Sequence, residues 1–151
     1  MADPHALSPE DRELRAMLGS ARTIAVVGLS SDHRRPSFGV SSYLQEHGYR
    51  IIPVNPNETE VLGERSYRSL EDIPRTVAID VVVVFRRAEE TPPIASQAVA
   101  IGAKALWLQE GIVSEEAERI AAEGGLEVNM GVCIRQVRAR LMGDDAEEEI
   151  R

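Results

Sequence analysis

The sequence predicts an α/β protein, a three-layer α/β/α fold on a doubly wound parallel sheet of about five strands. Three observations predict it. Short apolar runs rich in Val, Ile and Ala alternate about five times with segments whose apolar residues recur at helical spacing. The run Ala78-Ile79-Asp80-Val81-Val82-Val83-Val84-Phe85 is apolar almost without a break, as expected of a strand covered on both faces. Pro9, Pro36 and Pro92-Pro93 stand where the helical segments would open, and proline suits a first turn.

In chain order, Ser8 caps a first helix, with Pro9 in its first turn and Asp11 three residues on. Leu14, Met17 and Leu18 give it an apolar side, and Gly19 is expected to end it. Thr23–Gly28 reads as a buried strand, followed by the loop Leu29–Arg35. A second helix starts at Pro36, carries Val40, Tyr43, Leu44 and His47 on one side, and closes at Gly48. Strand Tyr49–Val54 ends in Asn55-Pro56-Asn57. Residues 60–74 form a connector holding a short helix, Leu70–Ile73. Then come strand Ala78–Phe85, helix Thr91–Ile101, strand Ala105–Leu108, helix Ser114–Glu123, strand Leu126–Asn129 and helix Val132–Met142. In such sheets a ligand lies beyond the carboxyl ends of the strands, near the switch in strand order. The loops of interest therefore follow Gly28, Pro53, Phe85, Leu108 and Asn129.

The chain has 151 residues, enough for one domain, and we assign residues 1–143 to it. Residues 144–151 begin with five carboxylates among Asp144-Asp145-Ala146-Glu147-Glu148-Glu149 and read as an acidic, disordered tail. The net charge is −8, or −3 without those five, and no basic stripe points to nucleic acid. An acidic body that binds an anion must gather positive charge locally. With 4% aromatics, the core must be built mainly from Ile, Val, Leu and Ala. The single cysteine, Cys133, excludes an internal disulfide and a multi-thiolate zinc site. Residues 1–9 lack a basic stretch before an apolar core, and no apolar run reaches the ~18 residues of a membrane span. A reducing, cytoplasmic location is expected.

The first loop joins a buried strand to a helix N-terminus, where free N–H groups and the helix dipole favour phosphate. Gly28 permits close approach, Ser30, Ser31 and Ser37 add hydroxyls, and Arg34 and Arg35 add charge. The plain alternative is a surface turn with solvated arginines. A dinucleotide Gly-x-Gly-x-x-Gly is missing, since Gly28 is followed by Leu29-Ser30 and the next glycine is Gly39. No P-loop motif occurs. An NAD site also asks for an acidic residue ending the second strand. Here stands Pro53-Val54-Asn55-Pro56, a stiff, donor-poor stretch better suited to an adenine shelf.

The third strand ends in Phe85-Arg86-Arg87, and an arginine fork suits phosphate. One of the two arginines is expected to be taken by Glu89 or Glu90 and the other left open. Gln109 and Glu110 after the fourth strand can meet amides or hydroxyls, and Gly111 permits close approach. Trp107 is expected in the core rather than as a ligand shelf. Catalytic sets are lacking: there is no Gly-x-Ser-x-Gly elbow and no His-x-x-x-His spacing. Of His5, His33 and His47, only His33 falls in a candidate site loop, with Asp32 beside it. Cys133 reads as a small buried hydrophobe near the start of the last helix.

The segments Arg35-Pro36-Ser37, Val40, Tyr43-Leu44, Gly48-Tyr49 and Pro53-Val54-Asn55-Pro56 resemble the small stand-alone CoA-binding domain proteins. So do Leu62-Gly63, Tyr67, Ser69-Leu70, Asp72-Ile73-Pro74, Phe85-Arg86-Arg87, Ile101-Gly102-Ala103-Lys104, Trp107, Gln109 and Gly111. The resemblance runs from about Leu14 to Leu141 and is similar to the CoA-binding half of the succinyl-CoA synthetase α-subunit. It implies a Rossmann-like domain with coenzyme A across the strand ends. Gly28, Leu29, Ser30, Arg35, Pro36, Ser37 and Val40 would line the diphosphate side. Pro53, Val54, Asn55 and Pro56 would flank the adenosine, and Phe85, Arg86, Arg87, Gln109, Glu110 and Gly111 would complete the cleft. Where the family commonly carries Asp-Arg-Cys, this chain reads Gly131-Val132-Cys133, so a polar role there is lost. A mixed disulfide of Cys133 with CoA is conceivable.

In the synthetase, catalysis needs a phosphorylated histidine from a further domain, and this chain has no histidine after His47. The expected function is therefore a non-catalytic module binding CoA or an acyl-CoA, with neither nucleic acid nor membrane as partner. One alternative is a subunit of a thioester-forming acyl-CoA ligase that needs a partner chain. Another is an NAD(P)-responsive regulator. A protein partner or a homo-oligomer fits either.

Overall fold

The computed structural model describes residues 6–143, so the acidic stretch 144–151 and His5 lie outside the described residues. Its elements are α1 (Pro9–Ser20), β1 (Thr23–Val27), α2 (Pro36–Glu46), β2 (Arg50–Val54), β3 (Glu60–Val61), β4 (Glu64–Arg65), β5 (Val81–Val84), α3 (Thr91–Ala100), β6 (Ala105–Glu110), α4 (Glu115–Glu123), β7 (Glu127–Gly131) and α5 (Ile134–Met142). Short 3₁₀ turns cover Leu70–Asp72 and Ala88–Glu90. The main sheet has five strands in the order β2-β1-β5-β6-β7, all parallel, with Ile24 beside Ile51 and Val81. This is the α/β, Rossmann-like architecture expected from the sequence.

The helix signals act as read. Ser8 Oγ accepts the Asp11 N–H at 3.1 Å, and Pro9, Glu10 and Asp11 occupy the first turn. Helix α1 runs one residue past Gly19, because Ala21 leaves in an extended conformation while its N–H still bonds to Met17 O. Ser114 caps α4 by accepting the Ala117 N–H.

Several strand ends differ from expectation. Strand β5 starts at Val81, because Asp80 turns its carboxylate onto the N–H groups of Arg22 and Thr23, at 2.9 and 3.0 Å. Strands β6 and β7 each run two residues further than expected, to Glu110 and Gly131 across a register shift. Helix α5 therefore starts at Ile134. The connector also holds a hairpin, β3–β4, turned by Leu62 and Gly63, both at positive φ (55° and 79°).

Successive strand residues feed opposite faces. Ile24, Val26, Val81, Val83, Ala105 and Trp107 pack with α1, α2 and α5. Ala25, Val27, Val82, Val84, Leu106 and Leu108 pack with α3 and α4. Both faces are covered, and Val81–Val84 is wholly buried. Trp107 is a core residue at 0% exposure, its indole N–H donating to Val132 O at 2.8 Å. Cys133 lies in the same core. The buried Arg138 donates from Nε to the hydroxyl of Tyr49 at 3.1 Å, tying α5 to the start of β2.

Candidate functional site: a cleft at the sheet's switch point

The chain reverses direction across the sheet between β1 and β5, since β2 lies on one side of β1 and the later strands on the other. The connection after β1 leads to α2 on one face, and the connection after β5 leads to α3 on the other. Loops that part this way leave a crevice at the carboxyl edge. A cleft of about 920 Å³ occupies that position, within the usual size of a ligand site.

Gly28 makes the crevice possible. It has φ +90°, and a Cβ there would lie 2.6 Å from the Phe85 carbonyl oxygen. Its N–H is fixed to Val54 O at 2.8 Å, and the Phe85 N–H to Val27 O at 2.8 Å. The glycine thus lets the β1 and β5 loops approach each other, rather than leaving open space for a ligand.

The first loop is built from its own hydroxyls. Ser37 Oγ accepts the Ser30 N–H at 3.1 Å, and Ser30 Oγ accepts the Asp32 N–H at 3.0 Å. Arg34 lies against Asp32 at 3.1 Å, and those guanidinium and backbone N–H bonds hold the Asp32 carboxyl below its ordinary value. Arg35 stands at the start of α2 and enters none of the ion pairs among the described residues. No acidic residue occupies the first turn of α2, where Arg35, Pro36 and Ser37 line the cleft, and the nearby Asp32 carboxylate is lowered in part by Arg35. His33 stacks on Phe38 at 4.0 Å.

From β2, Asn55 bridges two loops. Its Nδ2 donates to Leu29 O at 3.1 Å, and its Oδ1 accepts the Asn57 N–H at 2.9 Å. That turn brings Glu58 back over the first loop, where Oε2 accepts both the N–H of Ser31 (2.8 Å) and its hydroxyl (3.0 Å).

From β5, Phe85, Arg86 and Arg87 line the opposite wall. Both arginines are paired, which corrects the expectation that one stays open. Arg86 Nη2 lies 3.4 Å from Glu90 Oε1, and Arg87 Nε lies 3.6 Å from Glu90 Oε2 and 3.7 Å from Glu89 Oε1. The 3₁₀ turn over Ala88–Glu90 is the reason, since it swings one carboxylate within reach of both. Partial desolvation raises the Glu90 carboxyl, but the two guanidinium groups and the Arg87 N–H outweigh it and hold the carboxyl below its ordinary value. These contacts are long and partly exposed, so solvent screens them and a ligand anion can compete with the carboxylates for the arginines.

Ten residues expected at the site line the cleft: Gly28, Ser30, Arg35, Pro36, Ser37, Asn55, Phe85, Arg86, Arg87 and Gly111. Leu29, Val40 and Val54 are core residues, Pro53 is buried in β2, and Pro56 and Glu110 are exposed away from the cleft. Gln109 is 3% exposed because β6 continues through it, and its Oε1 accepts the Ile134 N–H at 2.9 Å, which anchors the start of α5. Asn57, Glu58, Ala88, Glu89 and Ile112 line the cleft without having been expected. The Asn55-Pro56-Asn57 turn was a signal for the first two, because an Asx turn folds the chain back. Among the described residues no group of three or more His, Cys, Asp or Glu side chains could hold a metal ion, and no helix is long and apolar enough to cross a membrane.

The family model described as CoA binding domain matches residues 22–138. The uncharacterised protein YneT of Bacillus subtilis is 41% identical over 132 residues, 87% of this chain and 96% of its own. The ADP-forming acetate–CoA ligase II of Archaeoglobus fulgidus is 30% identical over 100 residues, 65% of this chain but 15% of the ligase. A solved structure of a hypothetical protein from Pyrococcus horikoshii OT3 superposes with a TM-score of 0.85 at 37% identity, covering 95% of this chain and 99% of that one. On the extent of the family match and the similarity to YneT along nearly its whole length, the chain belongs to the family of CoA-binding domains.

Proposed function

We propose that the chain binds coenzyme A or an acyl-CoA in the switch-point cleft as a non-catalytic module. One observation carries this reading. Within a chain of the CoA-binding domain family, the cleft at the strand ends gathers Arg35 from the start of α2 with Arg86 and Arg87 from the end of β5. An anion bound there meets Arg35 at the start of α2 on one side and the Arg86 and Arg87 guanidinium groups on the other. In this reading the adenosine lies beside Asn55 and Asn57, where the chain leaves β2, and the diphosphate against the first loop. Residues 1–143 act as one domain, and the protein works in the cytoplasm.

The test is thermal melting of the full chain with CoA, acetyl-CoA, NAD, NADP, FMN and ATP. A ligand at ~100 times its dissociation constant adds about 2.7 kcal/mol of stability. CoA and acetyl-CoA should raise the midpoint most. A midpoint moved by NAD and not by CoA would overturn the proposal. A second reading, a subunit of an acyl-CoA ligase, is favoured by the similarity to the Archaeoglobus ligase. It requires stable association with a chain supplying the catalytic group, which co-purification would reveal.

A further inference from the structure

We propose that the outer edge of β7 is a docking site for another protein, whose extended basic segment joins the sheet there as a further strand. The proposal is independent of the cleft, which none of these residues lines. The two edges of the main sheet differ. The β2 edge is covered, because the Tyr67 N–H donates to Pro53 O at 3.1 Å and the Tyr67 carbonyl accepts the Asn55 N–H at 2.8 Å. No strand among the described residues pairs with the outer side of β7. Nor is any residue of β7 fully buried, whereas every residue of β5 is. The Glu127 N–H donates inward to Lys104 O at 3.0 Å, so the alternation of the ladder turns the main-chain groups of Val128 outward. An edge of this kind is a template for one more strand.

The chemistry beside the edge selects the occupant. A groove of about 560 Å³ lies between α1 and β7, lined by Glu10, Glu13 and Leu14 on one side and Glu127, Val128 and Asn129 on the other. None of the three glutamates enters an ion pair among the described residues. Two cations close by are taken, Arg140 by Asp11 at 3.0 Å and Lys104 by Asp80 at 3.3 Å. At the carboxyl end of the same strand stand two exposed valines. Val132 follows β7 directly, and Val113 lies 3.2 Å from where a Gly131 Cβ would stand. The edge therefore suits cations at the amino end of β7 and aliphatic side chains at its carboxyl end. A second copy does not supply them. Antiparallel pairing of β7 with itself about a two-fold axis sets Glu10, Glu13 and Glu127 of one copy against the valines of the other.

The experiment is fluorescence anisotropy of the full chain with a short labelled peptide carrying lysines in its first half and valines in its second, and with the same peptide reversed. One of the two should bind, the first as a parallel strand or the second as an antiparallel one. Glutamate in place of its lysines should abolish binding. Methylating one alternate set of its main-chain nitrogens should also abolish it, and methylating the other set should spare it, because only one set faces β7. Glu10→Gln, Glu13→Gln and Glu127→Gln together should weaken binding about tenfold, the scale of a few screened ion pairs, and flatten its dependence on salt. Should that variant fail to fold, the peptide arms on the unaltered chain still decide. Binding that survives both methylations is adhesion by charge alone and overturns the added strand. Unchanged affinity in the folded variant overturns the basic partner. No saturation by either peptide up to about 1 mM overturns the site. A chain whose mass doubles in light scattering, and which takes the peptide only on dilution, gives the edge to a second copy and overturns the proposal as well.

Discussion

Replacing Gly28 by alanine tests whether the cleft is shaped by main-chain contact between the β1 and β5 loops. Two costs are separable. At φ +90° an L side chain sits in the left-handed region, which costs about 1–2 kcal/mol. The new Cβ also meets the Phe85 carbonyl oxygen at 2.6 Å and Phe85 C and Arg86 Cδ at 3.3 Å. The backbone has little room to yield, because Gly28 N–H and Phe85 N–H are tied to Val54 O and Val27 O. Overpacking of this kind adds about 1–3 kcal/mol. Gly111 supplies the control. It also has positive φ, +80°, but no atom lies within 4 Å of where its Cβ would stand. Gly111→Ala should therefore show only the conformational cost. Urea denaturation of both variants reads the difference, and Gly28→Ala should lose at least about 1 kcal/mol more than Gly111→Ala. Equal losses would refute the contact between the loops.

The ion pairs and hydrogen bonds of Asp80, Arg86 and Arg87 give further expectations. Burial raises the Asp80 carboxyl, but the N–H groups of Thr23 and Arg22 and the Lys104 ammonium together hold it below its ordinary value. A depressed folded pKa contributes stability that is present above the unfolded value and lost as pH falls through the folded one, so the loss falls below about pH 4. Asp80→Asn should lower stability at neutral pH by about 1–3 kcal/mol and flatten the acid limb of the stability curve; an unchanged acid limb would count against it. Arg86→Ala combined with Arg87→Ala should weaken CoA binding and reduce the slope of affinity against salt. Unaltered affinity and slope would place the phosphates elsewhere.

The layers, the parallel sheet and the five main strands were legible because each rests on a strong local signal. Val81–Val84 is apolar on both sides and lies between two layers of helices. Ser8, Pro36 and Ser114 mark helix starts by satisfying or forgoing N–H groups. The β3–β4 hairpin was not legible, since strands of two residues are too short to alternate. The site was legible at the level of its loops and less so at the level of side chains. Gln109 shows why. A glutamine after a predicted strand end reads as a ligand contact, but β6 runs on through it, and its carbonyl is used on the Ile134 N–H. The pairing of Arg86 and Arg87 with one glutamate depended on a 3₁₀ turn that has no sequence period of its own.

The electrostatics of the cleft follow from how an acidic chain can hold an anion. The net charge of −8 gives no general attraction, and Arg86 and Arg87 are already balanced by Glu89 and Glu90. Of the three arginines lining the cleft, Arg35 alone is outside an ion pair among the described residues, and a ligand anion would take Arg86 and Arg87 by replacing Glu89 and Glu90. Discrimination between ligands then falls to the carboxylates that must move or be met. Glu90 can be drawn off the arginines by a competing anion, and Glu58 stands on the Ser31 N–H until something replaces it. On the proposed reading, an anion that enters the cleft must first displace the carboxylates at its rim and then rests against Arg35, Arg86 and Arg87.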